Sequence, residues 1–177
     1  MSDLIKNIIR FAVFILLQVY ILNKLPALHQ FIIPYLYFLF ILWLPFAIPP
    51  IPLMIIGFLT GITLDSFTNT PGLHAAPCIL IAFLRPFVIG ILTPKDVNEF
   101  NYREPSPRSM GWSQYLIYAL ILTLFHHTYL IFLEWLSFGS FFRFLIKVIS
   151  TTAISMLMII VSELLFARRL RFRTNTA

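Results

Sequence analysis

Six apolar runs, each near the length that crosses a bilayer, leave this chain little choice of fold. They fall at residues 8–22, 31–46, 50–64, 73–92, 114–133 and 141–166. A spanning helix needs about 20 residues, with about 17–25 common, so the first three runs predict tilted helices or helices extended by their flanks. Prolines punctuate the joints: Pro26 lies between the first two runs, and Pro45, Pro49, Pro50 and Pro52 crowd the second. None of these continues a helix, although Pro50 or Pro52 can begin one. The expected architecture is an all-α integral membrane protein, a six-helix transmembrane bundle forming a single domain over residues 1–177.

Composition agrees. Apolar residues make up 59% of the chain and charged residues 11%, where soluble proteins carry roughly 25% charge. The net charge of +6 is concentrated in the tail beside the last run. Arg168, Arg169, Arg171 and Arg173 there suit anionic lipid, which makes nucleic acid an unnecessary partner. Cys78 is the only cysteine, so it cannot form an internal disulfide and reads as a small buried hydrophobe. Lys6 and Arg10 precede the first run as in a secretory leader, but no small-x-small cleavage site follows Leu22. A retained first helix is expected.

Six spans put both termini on one side, together with the loop at residues 93–113. That side carries Lys6, Arg10, Lys95, Arg103, Arg108 and the four tail arginines, nine basic residues against Lys24, Arg143 and Lys147 opposite. The excess of basic residues predicts that both termini, the 93–113 loop and the basic tail at 167–177 are cytoplasmic. Pro105 and Pro107 keep the loop from being one helix.

Against this apolar background each polar group in a span is conspicuous, because lipid offers no water to satisfy it. Gly57, Gly61 and Asp65 stand at i, i+4 and i+8 on one face of the third span. Such a small-residue ridge lets a second backbone come close, either another helix of the same chain or a partner. Asp65 is expected at the outer end, followed by a polar hairpin containing Asn69, Pro71, Gly72 and His74. Pro71 presets φ and Gly72 permits positive φ, which predicts a tight turn between spans three and four. Asp65 then either caps the hairpin or contacts a ligand alongside His74.

Arg85 and Pro86 lie in the fourth span. The arginine either snorkels to the cytoplasmic interface or finds a partner, with Glu163 in the last span a candidate. Pro86 frees the carbonyl one turn before it. His126 and His127 are adjacent in the fifth span, so they point about 100° apart and cannot share one face with Glu134. That spacing disfavours a metal site and favours a hydrogen-bonded interhelical pair. The chain has no nucleophile elbow, zinc-protease helix, paired cysteines or glycine-rich phosphate loop. No catalytic residue, metal or cofactor is expected.

The ordered set Gly57-x-x-x-Gly61-x-x-x-Asp65, Thr70-Pro-Gly-Leu-His74 and Leu84-Arg85-Pro86 resembles the rod shape-determining membrane protein family MreD. Pro34-Tyr-Leu-Tyr37, Arg108-Ser-Met-Gly111, Phe125-His-His127 and the six-run layout add to the likeness. The resemblance implies a non-enzymatic scaffold of the bacterial elongation machinery (the elongasome), in the inner (cytoplasmic) membrane. It implies binding to MreC and, through it, links to an elongation glycosyltransferase, a penicillin-binding transpeptidase and the actin-like MreB. It also implies a fold similar to the substrate-capturing subunits of energy-coupling-factor vitamin transporters. A small-molecule capture subunit is therefore the alternative function, with an outward pocket near Asp65, Asn69, His74 and His126.

Overall fold

The computed structural model describes residues 3–24, 34–93, 103–135 and 140–166. Among them the secondary structure is entirely helical. Helix α1 is Asp3–Tyr20, followed by a 3₁₀ turn at Leu22–Lys24. A single turn, α2, occupies Leu39–Leu42. Next come α3, Pro50–Thr68, and α4, Ala75–Leu92. A second single turn, α5, Pro107–Met110, precedes α6, Trp112–Glu134, and α7, Phe141–Leu165. Helices α1, α3, α4, α6 and α7 are long and apolar enough to cross a membrane.

Local chemistry sets most boundaries. Pro49, in extended conformation, precedes α3, whose first turn holds Pro50 and Pro52, where a missing N–H costs no helical bond. Asn69 ends α3 in the left-handed region at φ 56°, and Gly72 follows at φ 87°. Helix α4 runs on through Pro86 to Leu92. Ser106 caps α5, its hydroxyl accepting the Ser109 amide while the Ser109 hydroxyl accepts the Ser106 amide.

The second apolar run departs from expectation. Within its described part, residues 34–46, only Leu39–Leu42 is helical. The segment returns antiparallel along α1. Leu36 and Tyr37 meet Gln18 near the end of α1, Phe40 packs on Phe11 and Trp43 on Phe14, and the Phe46 amide reaches the Arg103 carbonyl. Arg103 adjoins Glu104, which binds Lys6 and Arg10 at the start of α1. The segment thus travels from one end of the bundle to the other without being a helix.

The prolines explain this. An α-helix confined between Pro34 and Pro45 rises only about 18 Å at 1.5 Å per residue, well short of a hydrocarbon core of about 30 Å. The segment is instead a run of tight turns around one helical turn, with successive i→i+3 and i→i+4 bonds from Leu36 to Leu44, and irregular backbone at either end. Among the described residues there are five helices long and apolar enough to span, with a mostly irregular segment in place of the expected second one. Arg10 near the start of α1 and Glu163 near the end of α7 meet at one end of the bundle through Trp43 and Tyr115. Residues 35–44 are buried throughout and form the largest continuous part of the core.

Candidate functional site

Two polar centres organise the bundle. The first joins α3 to α4. The Asp65 side chain, 2% exposed, takes donors from five groups. Oδ1 accepts the Thr70 hydroxyl at 3.1 Å and the His74 amide at 2.9 Å, and lies 2.8 Å from His74 Nδ1. Oδ2 accepts the amides of Gly72 at 3.0 Å and Ala75 at 3.1 Å. A carboxylate at the first amides of α4 meets the positive end of that helix's dipole. Asn69, Pro71 and Gly72 form the exposed turn around it.

The glycine ridge makes this approach possible. A Cβ on Gly61 would stand 2.3 Å from Ala75 Cα and 2.5 Å from the His74 carbonyl oxygen. One on Gly57 would stand 2.8 Å from the Cys78 carbonyl oxygen. The ridge faces α4 of the same chain, backbone to backbone. Thr60, Thr63, Ser66 and Thr68 satisfy their hydroxyls on carbonyls one turn earlier in α3, which keeps polar side chains tolerable in an apolar helix.

The second centre serves residues 34–46. Buried irregular backbone must find partners in the protein, and side chains of four helices supply them. From α1, Gln18 donates to the Pro34 carbonyl at 3.1 Å and accepts the Leu36 amide at 2.8 Å and the Tyr37 amide at 3.3 Å. From α7, the Ser155 hydroxyl accepts the Tyr35 amide at 3.3 Å. From α6, the Tyr118 hydroxyl donates to the Leu42 carbonyl at 2.9 Å. From α4, Arg85 donates to the Leu44 carbonyl, to the Pro45 carbonyl at 3.4 Å and to the Tyr118 oxygen at 2.9 Å.

Arg85 is 1% exposed, so it neither snorkels nor turns to Glu163. Glu163 instead accepts the Tyr115 hydroxyl, whose oxygen also accepts the Trp43 indole N–H at 3.1 Å. Pro86 is half-buried beside Arg85 in the continuous helix.

His126 and His127 sit between the two centres. His126 Nε2 lies 2.8 Å from the Tyr37 hydroxyl and the ring stacks on Phe38 at 4.4 Å. His127 diverges to α7, with Nδ1 3.2 Å from the Thr152 hydroxyl and Nε2 3.5 Å from Ser155 Oγ. The Tyr37 ring is 5.6 Å from His74 and 5.5 Å from His126. The chain thereby brings Asp65, His74 and His126 into one neighbourhood, while Asn69 stays on the exposed turn. Among the described residues, no three His, Cys, Asp or Glu side chains are arranged to hold a metal ion.

At the other end Glu104 binds Lys6 at 3.0 Å and Arg10 at 2.9 Å. Burial pushes its pKa up, but Arg10 and Lys6 outweigh that and hold it below the usual carboxylate range. Lys95 and the four tail arginines, Arg168, Arg169, Arg171 and Arg173, lie outside the described residues.

Sequence reasoning missed Gln18, Tyr118 and Ser155. Gln18 carried a signal, a lone amide inside an apolar helix. Tyr118 and Ser155 carried none that distinguishes them from ordinary residues of a span. Comparison with protein-family models, curated proteins and solved structures gives no match.

Proposed function

We propose that the chain is a non-enzymatic membrane scaffold of the bacterial cell-elongation complex, a protein of the MreD type that binds MreC and supports rod shape and lateral peptidoglycan synthesis. The observation that carries this reading is where the residues of the resemblance fall. Gly57, Gly61, Asp65 and the Thr70–His74 turn are spent on one another. Arg85 is spent on the backbone that follows the Pro34–Tyr37 phrase, and His126 on Tyr37 within it. A motif set consumed in holding a bundle rigid suits a scaffold better than a capture site, which needs polar groups left over for its ligand.

In this reading the bundle lies in the inner membrane with both termini cytoplasmic. A lipid-facing helix surface receives the single span of MreC, and the glycosyltransferase, transpeptidase and MreB are reached indirectly. The tail arginines hold the end of the last helix to anionic lipid, at about 1 kcal/mol each. The fold likeness to vitamin-capturing transporter subunits belongs to the same proposal.

The test is a mild-detergent pull-down of the tagged protein from its own cells, with partners identified by mass spectrometry. Co-purification of MreC with wall-synthesis enzymes is the expected result. Recovery of an ATPase pair with its coupling subunit instead would overturn the scaffold reading in favour of capture.

A further inference from the structure

Of the buried side-chain nitrogens and oxygens among the described residues, only two lack a hydrogen-bond partner: Thr123 Oγ1 and His126 Nδ1. Both residues have no exposed surface. They stand at i and i+3 on α6, so they are neighbours on one helix face. Two isolated lapses would be expected to scatter through the bundle. Two adjacent ones point to a shared guest.

The chemistry of the two atoms restricts that guest. A neutral imidazole has one donor and one acceptor nitrogen, and His126 Nε2 is committed to the Tyr37 hydroxyl. If Tyr37 donates, Nδ1 carries a hydrogen and needs an acceptor. If Tyr37 accepts, Nδ1 needs a donor. The Thr123 hydroxyl both donates and accepts. A molecule that does both fits either arrangement. A metal ion is disfavoured, because no set of three ligating side chains is assembled among the described residues.

We propose that Thr123 Oγ1 and His126 Nδ1 together bind one buried water molecule, which completes the polar chain from Tyr37 through His126 to α6. The water fixes the His126 ring, and with it the stack on Phe38 and the hold on Tyr37 that seat the irregular crossing. Buried waters of this kind make two to four bonds to groups that would otherwise be unsatisfied.

The first test is Thr123→Val in the full-length protein, unfolded by titration with SDS from a mild detergent. The near-isosteric change removes one anchor of the water, and the unfolding equilibrium constant should rise by about fivefold. If no water is bound, valine removes a buried, unpaired hydroxyl and the constant should stay level or fall, which would overturn the proposal. The second test is an experimental structure of the unmodified protein at a resolution that shows ordered water. Density for a single oxygen within hydrogen-bond distance of both atoms supports the site. Empty space there, or density too large for one water, rejects it. These readouts are independent of MreC binding, so the proposal and the functional reading fail separately.

Discussion

The α3–α4 hairpin and the crossing at residues 34–46 solve the same problem in opposite ways. In the hairpin each helix satisfies its own backbone, so what remains is shape. Gly57 and Gly61 remove side chains, two backbones close up, and one carboxylate fastens the turn. In the crossing the backbone bonds itself only from Leu36 to Leu44, so what remains is hydrogen bonding at both ends of that run. Gln18, Arg85, Tyr118 and Ser155 reach in from four helices to supply it. Regular structure in a membrane demands fit, and irregular structure demands polar side chains from elsewhere.

The sharpest way to break this contrast is Arg85→Leu. It strands the buried Leu44 carbonyl and takes a donor from the partly buried Pro45 carbonyl, at roughly 1–3 kcal/mol for a buried group left unsatisfied. The expected result is loss of a monodisperse, folded protein in mild detergent. Arg85→Lys, with a single ammonium in place of a fork of donors, should retain part of the stability. A stable leucine variant would mean that the crossing does not depend on Arg85.

The hairpin predicts the next effect, and it is one of volume. Gly61→Ala puts a methyl group 2.3 Å from a backbone atom of Ala75, so α4 must move. Overpacking of this kind costs about 1–3 kcal/mol, read as a lower midpoint in SDS titration. Gly90→Ala, in the same α4 but with nothing within 4 Å, should be neutral or stabilising by up to about 1 kcal/mol. Equal effects at the two glycines would show that the ridge is not closely packed.

Asp65→Asn tests the fastening itself. The amide keeps the size of the carboxylate but turns an NH₂ group towards backbone N–H donors and removes the charge from the start of α4. About 1–3 kcal/mol should be lost, with faster protease cleavage in the turn at residues 69–72. Cleavage at the unmodified rate would separate the turn's order from Asp65.

The contrast also decides what could be read from sequence. The hairpin was legible, because the glycine spacing and the turn residues at Asn69, Pro71 and Gly72 are local signals. The crossing was not. Hydropathy reports the transfer of side chains into lipid and is silent on whether the backbone between them is helical, so residues 31–46 read as a span like the others. Only its prolines hinted otherwise. Arg85 is conspicuous in the sequence as a charge within a span, but sequence offers charged partners such as Glu163 more readily than it offers carbonyls. The carbonyls that hold Arg85 belong to residues with wholly apolar side chains, Leu44 and Pro45, which no motif marks.

The smallest effect lies where the crossing leaves the bundle. The Phe46 amide meets the Arg103 carbonyl, and the next residue, Glu104, grips Lys6 and Arg10 of α1. This clamp is partly open to solvent, so it contributes less than the buried groups above. Its sign with pH is nevertheless defined. The Glu104 pKa is depressed in the folded protein, so the stabilisation is complete above the unfolded value of about 4.3 and drains away as pH falls through the folded one. Thermal unfolding of the protein and of Glu104→Gln should differ at pH 7 and converge in acid. A gap that persists unchanged to pH 3 would mean that Glu104 acts through its shape alone, and that α1 is held to the crossing by Phe11, Phe14 and Gln18 without the charge.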